Sequence, residues 1–168
     1  MKQAFVLATL LAAIVFCGCQ TTTITSYQPK EEDQMSIQKT YQFIKDAKTY
    51  YLATVEKDQP RVRPFGTIHI FEGKLYIQTG RKKNVARQLL ANGKVELCTM
   101  KGNEWIRVSG VLEEDSRREA KVSMLDEYES LKAMYSPDDE NTMVLYFKPG
   151  TVTATIWSFS AEPVVMHF

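Results

Sequence analysis

From Tyr50 to Ser158 the chain is cut into short runs of β-forming residues by turns that carry glycine or proline, and this punctuation limits the fold most. Tyr50 to Glu56 is the first run, and Lys57-Asp58-Gln59-Pro60 turns it into a second, Arg61 to Phe71. Pro64 has no amide hydrogen to donate, so that strand belongs at a sheet edge or at a bulge. Glu72-Gly73-Lys74 turns into a third strand, Lys74 to Thr79. Lys94 to Met100 and Glu104 to Glu114 pair as a hairpin across Lys101-Gly102-Asn103. Pro149-Gly150 separates the last two strands, Thr142 to Phe147 and Thr151 to Ser158. Six or seven strands with few helices predict a closed antiparallel barrel.

Helical periodicity occurs in three places. Ile37, Tyr41 and Ile44 fall at i, i+4 and i+7, which predicts an amphipathic helix over residues 35–47. A second helix runs from about Lys83 to Ala91, with Val85, Leu89 and Ala86 facing inward; Asn92-Gly93 is expected to end it, the glycine turning left-handed. Residues 116–134 read as helical with a break near Met124, before a turn at Pro137-Asp138-Asp139.

The first 19 residues read as a targeting segment. Lys2 supplies the positive start, and the apolar run Ala4 to Phe16 has the length of a signal core rather than of a membrane span. It ends in Phe16-Cys17-Gly18-Cys19-Gln20, which resembles a bacterial lipoprotein cleavage site with Cys19 taking the lipid. The alternative is an ordinary secretory signal. Residues 20–34 are rich in Thr, Gln and Glu, so they read as a flexible tether reaching roughly 50 Å when extended. The expected product is exported and lipid-anchored to a bacterial membrane, on its periplasmic or cell-surface face. Residues 35–168 then form one domain.

A net charge of +1 argues against a nucleic-acid partner, which normally meets a basic face. With Cys17 removed and Cys19 lipidated, Cys98 has no partner for an intramolecular disulfide and reads as a buried packing thiol. His69 and His167 have no metal-ligand neighbours at useful spacing, and no nucleophile motif or glycine-rich phosphate loop is present, so no metal and no catalytic residue are assigned.

Two cationic segments carry the chemistry. In Arg61-Val62-Arg63-Pro64-Phe65-Gly66, alternation puts Arg61, Arg63 and Phe65 on one face. In Thr79-Gly80-Arg81-Lys82-Lys83-Asn84-Val85, cations stand at a helix N-terminus, where they oppose the macrodipole unless an anion binds. Convergence of the two would make a phosphate site from charge-assisted donors and free helix amides. The plainer alternatives are a charged sheet edge and a solvated turn. In Glu104 to Gly110, Trp105, Arg107 and Ser109 share one face, and Ile106 and Val108 the other.

The series Tyr51-Leu52-Ala53-Thr54-Val55, Gln59 to Gly66, Glu72 to Tyr76, Thr79, Lys82-Lys83, Val85, Gln88-Leu89, Asn92, Val95-Glu96 and Trp105 through Gly110 resembles the FMN-binding split-barrel family, the relatives of pyridoxamine 5′-phosphate oxidase. The ending Trp157-Ser158-Phe159, followed by Ala161-Glu162-Pro163, is similar to that of its small members. The resemblance implies a mainly β fold with flanking helices, a six-stranded antiparallel split barrel, and a homodimer with FMN at the subunit interface. It implies that Arg61, Val62, Arg63, Pro64 and Phe65 line the cofactor site, with Thr79, Lys82 or Lys83, Asn84 and Gln88 beside the phosphate and ring edge. Trp105 and Trp157 would shape the ring pocket. A flavin oxidoreductase acting on a small molecule is the leading reading. A flavin- or haem-binding protein without turnover, or an interaction module without cofactor, are the alternatives. Pyridoxamine phosphate oxidation itself is not expected, because no arginine follows Arg118 to make the substrate motif of the true oxidases.

Overall fold

The computed structural model describes residues 27–168, so the expected targeting segment with Cys17 and Cys19, and the expected tether as far as residue 26, lie outside the described residues. Helix α1 (Glu31–Ala47) opens the described chain. It starts before the first apolar repeat, because Glu31, Glu32 and Asp33 suit the positive end of the helix dipole. Ile37, Phe43 and Ile44 are its buried side.

Nine antiparallel strands follow, two or three more than the turn signals count. Strands β1 (Tyr50–Glu56) and β2 (Gln59–Phe65) form a hairpin with β2 at the edge, where Pro60 and Pro64 leave no central ladder bond unmade. The expected long second strand is broken. The chain leaves the sheet at Gly66 and resumes as the short β3 (His69–Phe71). Glu72 and Gly73 both take positive φ, which makes a tight hairpin into β4 (Lys74–Gly80).

Helix α2 (Asn84–Ala91) ends as its sequence predicts, but Gly93 is not left-handed. A Cβ on Gly93 would lie 2.4 Å from the Leu112 carbonyl, so close backbone approach is what requires glycine there. Strands β5 (Lys94–Lys101) and β6 (Glu104–Asp115) pair across the Gly102 turn. Helix α3 (Arg118–Glu127) stops at Tyr128 rather than near Met124, and a 3-10 turn, Glu129–Ala133, continues it. Strands β7 (Thr142–Phe147), β8 (Thr153–Ser158) and β9 (Val164–His167) complete the chain.

The hydrogen-bonded path runs β2-β1-β5-β6-β7-β4-β3, with β8 on β6 and β9 on β8. It does not close, which corrects the closed barrel. The long β6 belongs to both halves: residues 104–109 pair with β8, and residues 112–115 pair with β7. Between them lies a core that includes Tyr50, Leu52, Ile77, Leu97, Ile106, Val108, Leu145 and Phe147. A smaller cluster of Tyr76, Ala120, Met124 and Val144 seats α3 on the other face of β4. Strand β4 is therefore covered on both sides, and from Leu75 to Gly80 every residue is buried.

Candidate functional site

The end of β2, the Gly66-Thr67 loop, the end of β4, the start of α2 and the segment after α3 border a cleft of about 240 Å³. Arg63, Pro64, Phe65, Thr79 and Lys83, all singled out from the sequence, line it. A cation without a carboxylate stands on each side. Arg63 donates to the Leu52 carbonyl (3.1 Å), to Thr54 Oγ1 (2.7 Å) and to Gln88 Oε1 (2.7 Å), all neutral acceptors. Burial and the neighbouring Arg61 cation lower the Arg63 pKa, yet a guanidinium stays charged at any working pH. Lys83 is exposed at the N-cap of α2 and makes no ion pair among the described residues.

The floor holds a residue that sequence reasoning missed. Gln78 is 5% exposed, lines the cleft, and neither its Nε2 nor its Oε1 has a partner. Its backbone is held, because Gln78 N donates to Thr67 Oγ1 at 3.0 Å. Its side chain is free. Tyr76 and Gln78 share the face of β4 that α3 covers; at Gln78 that cover gives way to the cleft wall of Leu131, Met134 and Tyr135. A wider groove of about 660 Å³ lies between α1, the β5–β6 hairpin and β8–β9, but no unpartnered buried polar atom lines it.

The profile described as pyridoxamine 5′-phosphate oxidase matches residues 37–156, which spans both walls of the cleft. The chain belongs to that family. A NimC/NimA family protein from Clostridium acetobutylicum is 41% identical, with a TM-score of 0.77 over 80% of this chain and 94% of its own. Two more distant structures share the fold. A protein related to general stress protein 26, from the same organism, is 14% identical with a TM-score of 0.62, over 80% of this chain and 96% of its own. A haem-binding protein from Mycobacterium smegmatis is 13% identical with a TM-score of 0.59, over 84% of this chain and 59% of its own. No curated protein matches the sequence.

The remaining residues that the family pattern points to lie outside the cleft lining. Gln88 is buried behind Arg63, accepting from it and from Thr54 at 2.7 Å, so it braces the guanidinium. Arg61 turns to Glu56 (2.9 Å), which also binds Arg87; both guanidiniums hold the Glu56 carboxyl below its usual range. Val62 is 68% exposed on the opposite face of β2. Lys82 and Asn84 are exposed beside Lys83 without lining the cleft, and Arg81 is taken up by Glu114. Asn141 fixes this loop, accepting from Lys82 N at 3.1 Å and, through its carbonyl, from Arg81 N at 2.7 Å.

Trp105 and Trp157 are not in the cleft. They stack on each other across β6 and β8, 6.2 Å apart and nearly parallel, with Phe159 against Trp105. Cys98 is on the same outer sheet face and is partly rather than fully buried; that partial burial raises its thiol pKa. Among the described residues no cluster of His, Cys, Asp or Glu could hold a metal.

Proposed function

We propose that this protein binds FMN in the cleft and acts as an oxidoreductase on a small molecule at a two-subunit site. The observation that carries the reading is the unpartnered carboxamide of Gln78. A buried amide without partners is costly unless a ligand completes it. Around it, Arg63 and Lys83 present positive charge at the start of α2, where an anion such as a phosphate is favoured. The donor set therefore fits a phosphorylated, amide-bearing cofactor, and family membership points the same way. Lys83 would hold the phosphate, with Thr79 beside it and Gln78 reading the ring edge. Arg63, braced by Gln88 and Thr54, would supply fixed charge. FMN, when bound, supplies the electron-accepting and electron-donating centre.

Two further parts belong to the proposal. The cleft lies below the 300–1,000 Å³ usual for ligand sites, which supports a site finished by a second copy of the chain. Members of the family are commonly dimeric. Trp105 and Trp157 would then reach the partner's cofactor and not their own. The Cys19 motif supports a lipid anchor, tested by loss of acyl-chain labelling in Cys19→Ala. Haem is the second reading, prompted by the shared fold of the Mycobacterium smegmatis protein; no histidine or cysteine lines this cleft, which leaves Met134 and Tyr135 as the lining residues able to serve as its axial ligand.

The deciding experiment is the visible spectrum of the purified protein, with the released cofactor identified by mass. The expected result is FMN at about one per chain, reducible by a candidate donor. A protein that stays colourless through FMN titration refutes the flavin reading.

A further inference from the structure

Two walls of the cleft lie far apart in the chain, and one side chain holds both. Gly66 and Thr67 form one wall, and Leu131, Met134 and Tyr135 the other. Tyr128 stands at the joint between α3 and the 3-10 turn, where the backbone leaves helical geometry (φ −129°, ψ 70°). A phenol has one hydrogen to donate and lone pairs for about two donors. Here all are used. The Tyr128 hydroxyl donates to the Ile68 carbonyl at 2.8 Å, and it accepts from Ile68 N at 2.9 Å and from Lys45 Nζ at 3.1 Å. Lys45 also stands over the phenol ring, 4.2 Å from its centre, and pairs with Glu127. Ile68 lies between β2 and β3 without a strand partner, so the hydroxyl takes the place of a ladder. From there the bonding reaches the cleft on both sides. Thr67, next in the chain, gives its carbonyl to the Tyr50 hydroxyl at 2.7 Å, and its own hydroxyl accepts from Gln78 N at 3.0 Å. Towards the other wall, the Tyr128 carbonyl accepts from Leu131 N, and the Leu131 carbonyl from Met134 N and Tyr135 N, each at 2.9 Å.

We propose that Tyr128 is a positioning residue that fixes the spacing of these two walls, so that the cleft is already shaped for its ligand before binding. Tyr128 does not itself line the cleft. It acts through Ile68 and Thr67 on one side and through Leu131 on the other. A site held in its bound shape loses less freedom when the ligand arrives, and that saving appears as affinity. The effect on cofactor affinity rests on the flavin reading above; the coupling of the two walls stands without it.

The test compares Tyr128→Phe with Tyr146→Phe in the full chain. Each loses one phenol hydroxyl and keeps its ring, but the Tyr146 hydroxyl bonds Glu113 at 2.7 Å and lies outside the cleft lining. Amide hydrogen exchange is followed without FMN at Ile68 and Gln78 on one side, and at Leu131, Met134 and Tyr135 on the other. FMN affinity is then measured by fluorescence titration well below the melting temperature. Tyr128→Phe is expected to speed exchange on both sides by roughly tenfold and to weaken FMN roughly 3- to 30-fold. Tyr146→Phe should leave both readouts at the wild-type level, even where its melting temperature falls as far. Faster exchange at Ile68 alone would mark a local bond and overturn the inference. Faster exchange across the whole domain would mark a general loss of stability and overturn it too, as would unchanged FMN affinity in Tyr128→Phe. A wild type that takes up no FMN overturns the flavin reading instead, and the exchange pattern at the two walls still decides this inference.

Discussion

Gln78 carries a conflict that a ligand can resolve. An orphaned buried amide costs about 1–3 kcal/mol, and the same group rewards a ligand that supplies its partners. Replacing it with Met, of similar volume and without the amide, should therefore act in opposite directions on two measurements. Gln78→Met is expected to raise the melting temperature of the cofactor-free protein by a few degrees and to weaken FMN roughly tenfold. Unchanged values in both, by differential scanning calorimetry and fluorescence titration, would remove Gln78 from the site. The cations of this site were legible in the sequence, because Lys82-Lys83 ahead of a helix opposes its dipole whatever the tertiary structure. Gln78 and Tyr135 were not. A glutamine between Ile77 and Thr79 gives no local signal, since β4 is covered on both faces and alternation cannot show which way it points. Tyr135 lines the cleft from a turn more than fifty residues along the chain from Gly80, and its hydroxyl lies against that glycine.

The turn between the 3-10 segment and β7 positions both Tyr135 and Asn141, and one carboxylate organises it. Asp139 accepts from the backbone N–H groups of Ser136, Asn141 and Thr142. Partial burial pushes the Asp139 carboxyl up, but these donors outweigh it and bring its pKa down to about 2. A carboxyl whose folded pKa lies below its unfolded value near 3.9 stabilises the protein above that unfolded value. The contribution is lost as the pH falls from about 4 towards 2. Asp139→Asn should accordingly melt below the wild type at pH 7, with the gap closing below pH 4. A gap that stays constant down to pH 2 would contradict the assignment. Helix α2 and the β5–β6 hairpin, one with a clear period and the other with a glycine turn, were read correctly from the sequence. The break at Gly66 and strand β9 were not, because each depends on a distant partner. Residues 66–68 leave the sheet where Tyr128 bonds both backbone groups of Ile68, and Val164–His167 becomes a strand only by pairing with β8.

The outer face of the β2-β1-β5-β6-β8-β9 sheet is where the proposed second copy would dock. Tyr51, paired with Pro64 on β2 and Cys98 on β5, continues through Arg107 and Thr155 to Val165 in one row. Met100, Trp105 and Trp157 form another. Tyr51 is 55% exposed, Met100 59% and, just past β8, Phe159 80%, so large apolar side chains lie open on this face. Such a patch marks an interaction surface, and the polar pair Arg107–Glu96 (2.7 Å) within it gives a second copy something to align on. Because the cleft is too small to enclose a flavin alone, dimerisation and cofactor binding should fail together. Tyr51→Glu places a charge on this face without touching the core. It is expected to convert a dimer to a monomer in sedimentation velocity and to weaken FMN at least tenfold, with the helical and sheet content retained in circular dichroism. A monomeric Tyr51→Glu that binds FMN as tightly as the wild type would show that each subunit holds its cofactor unaided. Trp105 and Trp157, stacked outside their own cleft, would then have no part in the site.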